Sequence, residues 1–145
     1  MTKNPVAKGG TIPLTDSLFD VLFTKGWGPP ESWGRSANAT GAEAQVALEP
    51  DHDYHIEIQA SPTCQDNQPV VQEIIVGWNN EILGTANIQD CTTQTIDLLI
   101  PTILVSKDTN QLWFEFKPGS TTKALELFQG GNNIIAFRSI IFTQY

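Results

Sequence analysis

The sequence predicts an all-β fold, an antiparallel β-sandwich of jelly-roll character with about eight strands. Three observations carry this. Apolar and polar residues alternate in short runs, the runs are divided by Pro, Gly and Asn, and only Thr121–Gln129 reads as a short helix. Alternation of period two is what a strand needs to bury one face and wet the other.

The elements follow in order. Met1–Thr11 reads as a flexible lead-in and residues 12–145 as one sandwich domain. A first strand is expected near Leu18–Phe23. Ala42, Ala44, Val46 and Leu48 alternate with Glu43, Gln45 and Ala47, and Tyr54, Ile56, Ile58 and Ala60 alternate with His55, Glu57 and Gln59. Ile74, Val76 and Trp78 make the next buried face, which places Trp78 in the core. Asn79-Asn80 then breaks the run before Ile82, a two-residue hairpin signal of type I′. Ile96, Leu98 and Ile100 end at Pro101, and Leu112, Phe114 and Phe116 end at Pro118-Gly119. The run from Ile134 to Phe142 is apolar on nearly both faces, as a central strand should be.

Composition narrows the function. With 145 residues the chain holds one domain. It is 40% hydrophobic and 17% charged, with a net charge of −8. That balance argues against nucleic acid and anionic membrane, which both require a cationic face. No apolar run approaches a bilayer span. Met1–Gly10 has no apolar h-region, so a cytoplasmic location is expected unless the chain is cut from a longer protein. By the same reasoning Asn38-Ala39-Thr40 is not expected to be glycosylated.

Catalytic signatures are missing. His52 and His55 fall on one expected strand, and His55 shares a solvated face with Glu57 and Gln59. Glu31, Glu43, Glu57, Glu73, Glu115 and Glu126 show no spacing that pairs two of them for glycoside hydrolysis. There is no phosphate-binding glycine loop. Asp51, Asp53 and Asp90 sit in oxygen-rich loops, yet Asp51-His52-Asp53 lacks the glycine and distal Glu of an EF-hand loop, so no metal and no cofactor is expected. Cys64 and Cys91 would meet near the open end of a hairpin formed by the runs between them, where one bridge and two free thiols both remain open. The reading is a protein that is not an enzyme.

The chemistry concentrates in Gly26–Ser36, where Trp27, Glu31, Trp33 and Arg35 stand among glycines and two prolines. Indole faces stack on the C–H side of sugar rings, and Glu and Arg offer planar hydrogen bonding to vicinal hydroxyls. The structural alternative is a loop whose tryptophans plug the end of the sandwich, with Arg35 and Glu31 paired beneath them. Trp113 alternates against Leu112 and Phe114 and shares its face with Glu115 and Lys117, which points to an outward aromatic platform, the alternative being a ring covered by the Thr121–Gln129 segment.

The order Gly-Trp-x-x-x-Glu-x-Trp-Gly-Arg-Ser, then Gln72–Asn80, then Ile100-Pro101 and Leu112–Phe116 resembles a family of accessory β-sandwich modules. These accompany bacterial glycosyltransferases, sugar methyltransferases and polysaccharide-assembly proteins. The likeness spans Phe19–Phe142, and departs where Ser36 follows Arg35 in place of an aromatic and where Asn80 replaces a turn glycine. The resemblance implies a glycan context and a linked or associated glycosyltransferase domain as partner.

The expected function is a non-catalytic carbohydrate-binding module using Trp27, Glu31, Trp33, Arg35 and Trp113 on a glycan. The alternatives are a structural or docking domain of a larger glycan-handling enzyme, a surface or assembly sandwich and, against the scatter of the carboxylates, an enzyme on a sandwich.

Overall fold

Alternation resolves into two facing sheets in the computed structural model, which describes residues 9–130 and 132–145. The strands are β1 (Gly9–Thr11), β2 (Phe23–Lys25), β3 (Arg35–Asn38), β4 (Ala42–Val46), β5 (Tyr54–Pro62), β6 (Cys64–Gln65), β7 (Gln68–Pro69), β8 (Val71–Trp78), β9 (Glu81–Asn87), β10 (Gln94–Ile100), β11 (Asn110–Pro118) and β12 (Asn133–Gln144). One sheet runs β1-β12-β5-β10, with β3 also pairing to β12. The other runs β2-β4-β11-β8-β9, and β6-β7 is a small separate hairpin. Every pairing is antiparallel. The fold is the all-β sandwich that the alternation predicts.

The inner faces meet as predicted. Ala42, Ala44, Val46, Tyr54, Ile56, Ile58, Ala60, Ile74, Val76 and Trp78 are all buried. Aromatic rings stitch the two sheets together: Phe114 lies 4.6 Å from Phe137, and Trp78 lies 5.7 Å from Phe142, centroid to centroid. Burying such rings supplies most of the driving force and orients them edge or tilted to one another. Strand β12 lies inside its sheet, flanked by β5 on one side and by β1 and β3 on the other; Ile134 and Ile135 are both buried, and beyond them buried Phe137, Ile140 and Phe142 alternate with half-buried or exposed positions.

Several expectations change. The segment expected as a strand at Leu18–Phe23 is a 3-10 helix over Ser17–Leu22, and only Phe23 enters β2. Its start is fixed by Asp16, whose carboxylate accepts the Leu18 N–H at 2.9 Å, so a local cap outcompetes a strand. Of the expected lead-in, residues 1–8 lie outside the described residues, and Gly9–Thr11 pair with Thr143–Ile141 as β1. At Asn79-Asn80 only Asn79 takes a positive φ, 54°, whereas a type I′ turn requires it of both central residues. The described strands number twelve, and four of them (β1, β2, β6, β7) have three residues or fewer. Strands that short carry no readable alternation. Of the remaining eight, seven are the expected runs, and the eighth, β3, begins in the segment read as an irregular loop.

The helix at Thr122–Gln129 forms where expected, capped by Thr121, whose Oγ1 accepts the Ala124 N–H at 3.1 Å. Cys64 and Cys91 are bonded to each other, their Cα atoms 6.1 Å apart. The bridge ties β6 to the loop after β9, at the open end of the β8–β9 hairpin.

Candidate functional site

The five candidate residues do not form one site. Two of them are consumed by the fold. Arg35 is only 3% exposed. Its Nε donates to the Leu14 carbonyl at 2.8 Å, its Nη1 to that of Gly28 at 3.4 Å and an Nη2 to that of Asp16 at 3.3 Å. The same Nη2 pairs with the Asp20 carboxylate, and the guanidinium lies 4.1 Å over the Phe23 ring. Three of these bonds serve the chain around the 3-10 helix and the fourth ties down Gly28. The expected role of Arg35 in holding sugar hydroxyls is not what its surroundings favour, because the guanidinium is buried and four of its five N–H donors are already spent inside the fold. The expected Arg35–Glu31 pairing of the structural alternative is replaced by Arg35–Asp20.

Trp27 is drawn into the fold in the same sense. Its ring packs between Phe23, Phe114 and Phe137, and its Nε1 donates to the Glu43 carbonyl at 2.7 Å. The half-buried ring is thus spent on packing against the core aromatics.

Glu31 and Trp33 remain outside. A tight turn joins Glu31 to Gly34, closed by the Glu31 N–H on the Gly34 carbonyl at 2.8 Å and by the reverse bond at 3.2 Å. Gly34 permits it: φ is 140°, and a Cβ there would stand 1.9 Å from the Phe137 carbonyl oxygen. At the tip Trp33 is 39% exposed. The Arg138 guanidinium sits 5.8 Å from the centre of its ring, and Arg138 Nε donates to Ser61 Oγ at 2.8 Å. This cation–π contact occupies one face of the Trp33 indole.

Trp113 stands on the outer face of the other sheet, as its alternation predicts. Cross-strand register aligns Lys25, Glu43, Trp113, Gly77 and Ile82 across all five strands. The indole lies flat on Gly77, where a Cβ would fall 1.8 Å from ring atom Cε2. A glycine opposite an aromatic gives the ring a backbone floor. The ring is pinned by its Nε1, which donates to the Asn79 carbonyl at 2.8 Å. Asn79 is itself fixed: its Oδ1 accepts the Gln111 N–H at 2.8 Å, and its Nδ2 donates to the Leu104 carbonyl at 2.9 Å and to Asn110 Oδ1 at 3.0 Å. Beside the ring runs a groove of about 260 Å³ lined by Lys25, Thr40, Glu43, Gln111, Trp113 and Glu115 among others. That lies just below the usual range of small-ligand sites, roughly 300–1,000 Å³, and suits a shallow contact.

Gly77 and Asn79 escaped the sequence reading as site residues. Their signal was the Gly-Trp-Asn-Asn end of β8, which reads as a turn. Only pairing with β11 reveals that the glycine lies under Trp113.

The remaining polar groups are structural. Asp53 accepts both the Thr102 hydroxyl and its N–H at 2.7 Å, and these bonds hold its pKa below the ordinary carboxylate value. Asp90 does the same with Thr92. His55 Nε2 lies 3.1 Å from Asp97, and His52 Nδ1 lies 3.2 Å from the Tyr145 carbonyl. Among the described residues no group of three or more His, Cys, Asp and Glu is arranged to hold a metal ion, and no helix is long and apolar enough to cross a membrane.

Fold and groove together define an antiparallel β-sandwich with an aromatic platform on one outer sheet face. No family model matches the chain, and no curated protein matches it. Among solved structures the chain is similar to a family 35 carbohydrate binding module from an environmental isolate, at 14% identity and a TM-score of 0.47, over 98% of this chain and 95% of that one.

Proposed function

We propose that the protein is a non-catalytic carbohydrate-binding module whose site is the Trp113 groove rather than the Trp27–Arg35 segment. The observation that carries this is the indole of Trp113, laid flat on Gly77 and pinned by Asn79 beside an open groove with Lys25, Glu43, Gln111 and Glu115. A pinned ring loses little entropy when a sugar stacks on it, and the planar amide and carboxylates around it match vicinal hydroxyls. The resemblance in sequence to accessory sandwich modules supports the same glycan context.

Glu43 and Glu115 share the groove, and their diagonal placement on neighbouring strands separates the Cβ atoms by about 7–8 Å. That falls within the spacing of glycosidase pairs, yet both project from one open sheet face. Hydrolysis needs its acid and its base or nucleophile on opposite sides of the scissile bond. Binding is therefore the better reading. The Cys64–Cys91 bridge favours an oxidising compartment over the cytoplasm.

The test is a glycan array followed by titration of the best ligand. Trp113→Ala should weaken binding by about 1–3 kcal/mol, the range for a truncated aromatic hot spot, while Trp33→Ala changes it less than about twofold. Loss of binding with Trp33→Ala and full retention with Trp113→Ala would move the site to the Trp33–Arg138 tip.

A further inference from the structure

The groove carries more than an aromatic. Glu43 lies directly opposite Trp113 on β4, and Glu115 follows two residues along β11 on the same face. Sheet geometry puts the first about 5 Å from the tryptophan, Cβ to Cβ, and the second about 7 Å along the strand. Neither carboxylate makes an ion pair or a side-chain hydrogen bond among the described residues. The nearby lysines form no ion pair with them. Lys25 lines the same groove in register with Glu43 but forms no ion pair with it, and Lys117 is engaged by Glu73 at 3.4 Å. One negative charge is left uncompensated beside an indole, on a chain of net charge −8.

Resting on the carbohydrate-binding reading, we infer that this groove selects amino sugars whose nitrogen is free and protonated, such as glucosamine residues, over N-acetylated or neutral ones. An ammonium group on a sugar stacked at Trp113 gains twice. It meets the negative face of the ring system, and it lies within reach of two unpaired carboxylates. An N-acetylated nitrogen is uncharged and forfeits both. A uronic acid would be repelled by Glu43 and Glu115. The partial shielding by Lys25 and the open, wet groove keep the preference moderate, since exposed charge pairs are each worth little and fade with salt.

The experiment uses three tetrasaccharides of the same linkage, β1,4-linked glucosamine, its fully N-acetylated counterpart and cellotetraose, titrated at pH 6 and low salt by calorimetry. The glucosamine tetramer should bind at least about tenfold more tightly than either neutral chain, with the margin shrinking as salt is raised. Glu43→Gln combined with Glu115→Gln should erase the margin. Glu57→Gln, on the outer face of the other sheet, should preserve it. Equal binding of all three tetramers would overturn the selectivity and leave carbohydrate binding standing. Binding of none would overturn both. Undiminished glucosamine binding by Trp113→Ala would show adsorption to the acidic surface and overturn the selectivity. Release of new reducing ends would overturn the non-catalytic reading.

Discussion

The Trp27–Arg35 segment and the outer face around Trp113 are built from the same kinds of residue, tryptophan, glutamate and a cation, and use them in opposite ways. In the segment Trp27 and Arg35 turn inward, and Trp33 stays at the exposed tip. Trp27 fills a space among Phe23, Phe114 and Phe137, and Arg35 ties down the carbonyls of Leu14, Asp16 and Gly28. On the sheet face the backbone already satisfies its own hydrogen bonds, so Trp113, Gln111 and the two glutamates stay at the surface. A chain crossing the end of a sandwich must close it and satisfy stray backbone groups, and its bulky and cationic side chains are what it has to do so with. A strand has no such debt, and strict alternation holds one face outward.

Several experiments would break or sharpen this contrast. The largest effect is expected at the Cys64–Cys91 bridge, which closes a loop with a sequence separation of 27. Replacing both cysteines by serine should cost about 3–4 kcal/mol in urea unfolding, by loss of the constraint on the unfolded chain. It tests loop order by covalent means, and an unchanged midpoint would show that the surrounding loops hold themselves.

Arg35→Met should follow closely, destabilising by about 2–4 kcal/mol, because three carbonyls lose their donor and Asp20 its partner. Trp33→Ala, a few residues away at the exposed tip, should cost less than about 1 kcal/mol. If the two variants proved equally stable, the segment would not be the plug described here.

Gly77→Ala probes the other region. Its new methyl would meet the Trp113 ring, so the indole must lift from the sheet. Stability should fall by about 1–3 kcal/mol, as in other overpacked sites, and glycan binding should weaken with it. Retained binding would separate the ligand site from the platform.

The smallest effect concerns Asp53. Its pKa is lowered by the Thr102 hydroxyl and then by the Thr102 N–H. A carboxylate depressed in the folded state stabilises the protein above its unfolded value, about 3.9, and that contribution disappears as pH falls through the lower folded value. Asp53→Asn should therefore flatten the acid limb of a stability–pH profile while leaving its neutral region sloped as before. An unchanged acid limb would mean that the Thr102 bonds do not persist in solution.

By itself the sequence determined the fold class, seven of the eight longer strands, the outward side of Trp113 and the buried place of Trp78, because period-two alternation is a local code for which face meets the core, whereas the four-residue β3 begins inside the segment read as an irregular loop. It also placed the helix at Thr122–Gln129, since capping by Thr121 is likewise local. Only the tertiary structure decided which way Trp27, Glu31, Trp33 and Arg35 face, the first and last inward and the other two outward. Prolines and glycines state that this segment is irregular but not which way its side chains face. That direction depends on partners distant in sequence, such as Leu14, Phe137 and Arg138. The platform under Trp113 was hidden for the same reason: Gly77 matters only once β8 pairs with β11, and register between strands 36 residues apart at that pair is written in the packing of the whole sheet.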